Sequence, residues 1–161
     1  MFYLPQYKEA LVSPLDKDEV LRRLNIAVKH AKRQSLHHQK LDGPELELYL
    51  FNGLVSASAF SISLVIDKPE NFYPLINGHL VAAKEGCEVS IEYALFQSVK
   101  IFYFFWLLLL TIIGLFTFFE NNEWYWLAVT VVIQLASFFV IQSRFRAGLR
   151  KSRKELHRLI F

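Results

Sequence analysis

Two long apolar runs dominate the second half of the chain. Ile101 to Phe119, IFYFFWLLLLTIIGLFTFF, carries no charged residue in nineteen positions, and Tyr125 to Ile141, YWLAVTVVIQLASFFVI, carries none either. A helix rising 1.5 Å per residue crosses roughly 30 Å of hydrocarbon in about 20 residues. Both runs are therefore expected to span a membrane. The island between them, Glu120 to Trp124, is short enough to force an antiparallel helical hairpin. It places Trp124, Tyr125 and Trp126 at headgroup depth, where amphipathic rings prefer to sit. The alternative is a pair of core helices in a soluble protein, but a chain of 161 residues is too short to cover two such helices on all sides.

Upstream, SPLDKDEVLRRLNIAVKHAKRQ opens with Ser13 as N-cap, Pro14 at the first helical position and Asp16 three residues after the cap. Val20, Leu24, Ala27 or Val28, and Ala31 recur at helical spacing, with acids early and bases late as the macrodipole prefers. The pattern predicts an amphipathic N-terminal helix over about residues 14 to 34. SLHHQKLDGPE follows as a loop broken at Asp42-Gly43-Pro44. The period then changes to 2. In CEVSIEYAL, Cys87, Val89, Ile91, Tyr93 and Leu95 face one way and Glu88, Ser90 and Glu92 the other, which predicts a half-buried strand. LINGHLVAA pairs with it through Lys84-Glu85-Gly86, with glycine where a positive φ is needed. LELYLF and GLVSASAFSISLVI supply two more strands, the latter with Phe60, Ile62, Leu64 and Ile66 on one face, and DKPENFYP connects them to the hairpin. The expectation is an α+β domain, one helix on an antiparallel sheet of about four strands. Its last strand runs almost directly into the first apolar helix through Gln97 to Lys100, coupling domain and anchor mechanically.

After the hairpin, SRFRAGLRKSRKELHRLIF places Phe145, Leu149, Leu156 and Leu159 or Ile160 at helical spacing, against a face bearing Arg144, Arg146, Arg150, Lys151, Arg153, Lys154 and Arg158. This predicts a basic amphipathic helix. Its apolar stripe can cover the open face of the sheet, its charges merely solvated, or the helix can lie along the inner leaflet and attract anionic lipid. The two readings are compatible, since stripe and charges occupy different faces. The expected organisation is a cytosolic domain over 1–98, a transmembrane hairpin over 99–142 with spans 101–119 and 125–141, and a basic cytosolic helix over 143–161.

Charge distribution fixes an expected orientation. Lys100 precedes the first span and six of the seven C-terminal bases follow the second within about ten residues, whereas the tip between the spans has none. Lys and Arg near span ends stay on the cytoplasmic side, so both termini are expected in the cytosol. MFYLPQYKEALVSPL lacks a basic segment followed by an apolar core, which agrees. Cys87, the single cysteine, excludes an internal disulfide. Hydrophobic residues make up 53% of the chain, high for a soluble domain, while all five prolines fall in the first hundred residues. The membrane part thus begins abruptly after Lys100. No repeat with a period of 20 to 50 residues is present.

Candidate chemistry is sparse. The chain has no Gly-rich phosphate loop, GxSxG, HExxH or CxxC. Glu88 and Glu92 share a strand face roughly 13 Å apart, too far for a carboxylate pair, and read as solvated. His37-His38 has no cysteine or carboxylate at ligand spacing, so no metal or other cofactor is expected. Cys87 reads as a small buried hydrophobe, and His79 as partly buried or exposed on a strand. Within the spans, Thr130, Gln134 and Ser137 form a polar stripe on the second helix and Thr111, Gly114 and Thr117 a small-residue stripe on the first. The two stripes can face each other and let the hairpin pack closely, or Gln134 can reach another subunit or line a polar path in an assembly. Arg22, Lys29, Arg33, His37 and His38 are candidates to meet an anionic ligand.

The stretch FSISLVIDKPENFYPLINGHLVAAKEGCEVSIEYAL followed by a membrane hairpin resembles bacterial membrane proteins in which a small PH-like or YcxB-like β domain carries an inserted transmembrane pair. The resemblance covers roughly residues 46 to 141, with NFYPLINGHL as its most specific piece. It implies a membrane-tethered interaction domain in the bacterial inner membrane and transfers no catalytic residue. The expected function is a non-catalytic membrane-anchored adaptor or accessory subunit whose cytosolic domain docks a partner. An alternative is an oligomerising effector that senses an anionic ligand and rearranges its hairpins. A further alternative is an enzyme subunit. Expected partners are anionic inner-leaflet lipids and another protein or further copies of this chain, but no nucleic acid.

Overall fold

A computed structural model describes residues 4–30, 49–66, 72–83, 86–121 and 124–161. The elements are β1 (Gln6–Ser13), α1 (Lys17–Ala27), β2 (Val28–His30), β3 (Phe51–Val55), β4 (Ala59–Leu64), β5 (Leu75–Ala82), β6 (Cys87–Ala94), α2 (Gln97–Asn121) and α3 (Tyr125–Ile160). The strands form one six-stranded sheet in the order β1-β6-β5-β4-β3-β2. Every pairing is antiparallel except β2 with β3, which is parallel.

Register explains which side is buried. Tyr7, Glu9, Leu11 and Ser13 stand opposite Tyr93, Ile91, Val89 and Cys87, and Ile76, Gly78 and Leu80 continue the same face across β5. That face meets Val20 and Leu24 of α1 and Phe145, Leu156 and Ile160 of α3 in one hydrophobic core. Gly78 is needed there because the Phe60 ring lies across it. A β-carbon at that position would stand 2.1 Å from the ring. On the opposite face Lys8, Glu88, Ser90 and His79 are exposed, as one side of an antiparallel sheet can be, whereas Asn52, Ser63 and Leu75 on that face are buried.

Several expectations are corrected. The sheet has six strands rather than four and is mixed rather than antiparallel. The amphipathic helix is neither N-terminal nor 14–34: a strand precedes it, and the helix runs only from Lys17 to Ala27. Its N-cap position is Asp16, not Ser13. Ser13 is fully buried, and its Oγ accepts a hydrogen bond from the Leu15 N–H at 3.1 Å and donates one to the Ile160 carbonyl at 2.6 Å. The hydroxyl that reads as a local cap thus satisfies the far end of α3. The expected helix also runs past the observed end at Ala27, because Val28 and Lys29 leave it to pair with Phe51 and Asn52.

The stretch GLVSASAFSISLVI is not one strand. Gly53–Val55 ends β3, the chain turns at Ser56–Ser58 with the Ser56 N–H on the Ala59 carbonyl at 2.7 Å, and β4 begins at Ala59. The first half of LELYLF, residues 46–48, and all of the SLHHQKLDGPE loop lie outside the described residues. The β5–β6 hairpin forms as expected, with Gly86 at φ +93°. Its α-carbon is pressed against β1, where an added β-carbon would stand 2.0 Å from the Ser13 carbonyl.

The largest correction concerns the C-terminus. The second apolar run and the basic amphipathic segment are one uninterrupted helix of 36 residues, about 54 Å long. Its second half runs over the sheet from the start of β5 to the end of β1. Gly148 packs on Pro74 and Tyr73 just before β5, and the Ile160 carbonyl reaches Ser13 where β1 ends. Because α2 starts two residues after β6, the hairpin joins the sheet by two direct connections. Val99 and Tyr103 of α2 and Ile141 of α3 belong to the same buried cluster as Tyr93 and Leu156, so the core runs without a break into the base of the hairpin.

Candidate functional site

Beyond that base both helices are long and apolar enough to cross a membrane, and only 11% and 6% of their most apolar windows is buried. Phe102, Phe105, Ile112, Phe116, Val132 and Phe139 stand exposed. The two helices meet at Thr111 and Gly114 on one side and Thr130 and Gln134 on the other. The Gln134 amide Nε2 donates to Thr111 Oγ1 at 2.9 Å and approaches the Leu107 carbonyl at 3.4 Å. One turn further out, Gly114 lets Thr130 in close, since a β-carbon there would lie 2.6 Å from Thr130 Oγ1. Thr111, Gly114, Thr130 and Gln134 are thus brought together. The hydroxyls of Thr117 and Ser137 bond carbonyls of their own helices, a local arrangement common for Ser and Thr in apolar helices.

Two grooves lie along the hairpin. The larger, about 490 Å³, is lined by Phe72 from the segment before β5, by Val99, Tyr103 and Trp106 of α2, and by Ser137 and Ile141 of α3. The smaller, about 310 Å³, lies against Tyr103, Leu107, Gln134 and Phe138. Tyr103 lines both grooves and divides them.

A charged cluster that the sequence did not reveal joins the sheet to α3. The Glu9 side chain is 6% exposed on the inner face of β1, with Arg153 Nη2 at 2.7 Å and His157 Nε2 at 3.3 Å. The Tyr93 hydroxyl donates to Glu9 Oε1 at 2.8 Å. The Arg153 guanidinium lies over the Tyr7 ring, 5.6 Å from its centre. Burial, reinforced by the Glu9 carboxylate, holds the Tyr93 phenol well above the usual tyrosine range. The contact at Oε2 is an ion pair without an aligned hydrogen bond. A carboxylate surrounded in this way clamps two elements together. Its only sequence signal is the alternation Tyr7, Glu9, Leu11 read together with Arg153 and His157 one helical turn apart.

The remaining candidates are dispersed. Arg22 forks onto Glu19 at 2.8 and 2.9 Å and Arg23 reaches the same carboxylate at 3.0 Å, and the two guanidiniums hold the Glu19 carboxyl down at about 2. Lys29 lies in β2, while Arg33, His37 and His38 fall outside the described residues, so no anionic-ligand cluster forms among those described. Glu88 is exposed, and Glu92 is engaged by Lys8 at 3.7 Å and by Gln6. Cys87 is fully buried, and burial pushes its thiol up. Among the described residues no group of His, Cys, Asp and Glu could hold a metal.

The basic residues divide by height. Arg144 and Arg146 lie within five residues of Ile141, and Lys100 lies at the start of α2. Arg158 stands 17 residues beyond Ile141, roughly 25 Å along the axis, several times the roughly 8 Å Debye length of physiological salt. Arg153 is turned toward Glu9.

No family model and no curated protein matches the chain. Among solved structures, the chain is similar to the solution NMR structure of the Polyketide_cyc-like protein Cgl2372 from Corynebacterium glutamicum, at 9% identity and a TM-score of 0.33 over 94% of this chain and 93% of that one. So slight a likeness carries no argument here.

Proposed function

We propose that this protein is a non-catalytic membrane-anchored adaptor, its α+β domain held rigidly at the cytosolic face of a bacterial inner membrane to dock another protein. The observation that carries the reading is the bare apolar hairpin continuous with the domain core. Helices of a soluble core would be buried, whereas these expose Phe, Ile and Val around most of their circumference. In hydrocarbon that exposure costs nothing, and backbone polarity is satisfied within each helix. The two short connections at the base transmit any tilt of the hairpin to the sheet. On this reading Lys100, Arg144 and Arg146 meet anionic headgroups, while Arg150, Lys151, Lys154 and Arg158 project into the cytosol as α3 rises over the sheet.

The test is extraction and labelling. The protein should stay in the membrane after washing at alkaline pH. In a Cys87→Ala background, Asn121→Cys should react with a membrane-impermeant maleimide in spheroplasts, and Lys154→Cys only after lysis. Release by the wash removes the anchor, and reversed labelling moves the domain to the other side of the membrane.

A further inference from the structure

We propose that the free edge of β1 docks an extended segment of a cytosolic protein in which acidic and apolar residues alternate, added to the sheet as a seventh strand. This rests on the adaptor reading above and names the surface that docks. β1 ends the sheet on its side, and Gln6, Tyr7, Lys8, Ala10 and Val12 along it are exposed. An end strand turns the N–H and C=O groups of alternate residues outward, where another extended chain can pair with them. β1 offers eight residues, roughly 27 Å of edge. Its pairing with β6 runs unbroken from Gln6 to Ser13, with neither a proline nor a bulge to blunt the edge. Glu9, the inward charge that could repel a neighbouring strand, is already met by Arg153.

A second copy does not fit this edge. The start of β1 stands opposite the end of β6, from which the hairpin departs. Antiparallel pairing of two β1 edges turns one domain end for end and points the two hairpins in opposite directions, which one bilayer cannot hold. Charge and alternation then select the occupant. α3 passes over the inner face beside this edge, with Arg153 against Glu9 and over the Tyr7 ring. Arg150 lies about 60° from Arg153 around the helix, on the side away from the core. It is exposed and, among the described residues, forms no ion pair. Side chains on the inner face of an added strand come up against this flank, where carboxylates suit it. Those on the outer face meet Ala10 and the exposed Val12, where apolar side chains do. Anionic lipid is a poorer match, because Arg150 stands about 14 Å along the axis beyond Ile141, more than the roughly 8 Å Debye length.

Fluorescence anisotropy tests the site, with the full-length protein in phosphatidylcholine nanodiscs and a labelled peptide as long as β1 that alternates glutamate and valine. We expect saturable binding, weakened by about fivefold or more when lysine replaces glutamate, the factor lost with one exposed ion pair. The same peptide with every amide N-methylated keeps its charges but cannot pair with a strand, and it should not bind. Arg150→Glu should weaken the glutamate peptide by about tenfold, since attraction becomes repulsion. Lys151→Glu, an exposed position on the far side of α3 from Arg153, should change nothing. Equal binding of the glutamate and lysine peptides, binding of the methylated peptide, or indifference to Arg150→Glu overturns the proposal. So do two-chain assemblies dispersed by the peptide, which would assign the edge to a second copy. Protein washed off the membrane at alkaline pH sinks both this site and the anchor, whereas protein that stays, with its domain labelled as cytosolic, but binds no peptide sinks the site alone.

Discussion

The two halves of α3 obey opposite rules of exposure. In the first half Val132 and Phe139 are 63% and 67% exposed, while in the second Phe145, Leu156 and Ile160 are 2%, 0% and 0% exposed. Backbone geometry is the same throughout, and no break separates the halves. What differs is the partner of the apolar side chains: the sheet for one half, and on the membrane reading hydrocarbon for the other. Apolar surface in lipid gains nothing from burial, so the first half is held to α2 by close approach at Gly114 and by the Gln134 amide. The second half is held by burial and by the Glu9 clamp. On that reading one continuous helix draws its stability from two different surroundings, and substitutions should cost different amounts on either side of Ile141.

The largest expected effect contrasts the two halves directly. Leu156→Ala should destabilise the domain by about 2–5 kcal/mol, as core truncations do, whereas Phe139→Ala should stay within about 0.5 kcal/mol. Thermal unfolding in one detergent compares them, and equal losses would break the comparison. Next comes the clamp. Glu9→Gln leaves Arg153 without its counter-charge, at a cost of roughly 1–3 kcal/mol. The lower end is expected because the Arg153 side chain is 44% exposed and screened by water. A double-mutant cycle with Arg153→Gln should recover a clear coupling energy; strict additivity would mean that the pair contributes nothing.

The Tyr93 hydroxyl supplies a smaller, pH-dependent increment. Its folded-state pKa is raised by burial and by Glu9, so its stabilisation is fully present below the ordinary tyrosine value of about 10 and is lost as pH rises above it. Tyr93→Phe should cost about 1 kcal/mol at neutral pH and flatten the alkaline fall in melting temperature. An alkaline limb as steep as that of the unaltered protein would assign the fall to other groups. Smallest is Gln134→Leu, roughly 0.6–1 kcal/mol, since hydrogen bonds between spans contribute little on average. A Thr111→Val background should absorb that effect, and an undiminished loss would show that Gln134 acts elsewhere.

What the sequence could express was whatever depends on periodicity and on neighbours within a turn or two. The two long apolar helices and the β5–β6 hairpin with Gly86 were legible because length, charge and alternation are local quantities. The facing stripes of Thr111, Gly114, Thr130 and Gln134 were legible for the same reason, once a five-residue tip forced the helices to be antiparallel neighbours. β1 was not, because Glu9 occupies an inward position and spoils the alternation. Only Arg153, His157 and Tyr93, brought from more than eighty residues away, make an inward carboxylate tolerable. Ser13 read as a helix cap because its true acceptor, the Ile160 carbonyl, lies 147 residues on. The end of α1 was overrun because helical spacing and a short parallel strand both accommodate Val28, and pairing with Phe51 decided between them. The groove beside Phe72 exists only where the segment before β5 and the two long helices converge. Its side chains come from three separate stretches of chain, and no pattern confined to one stretch can encode a cavity that their mutual packing leaves open.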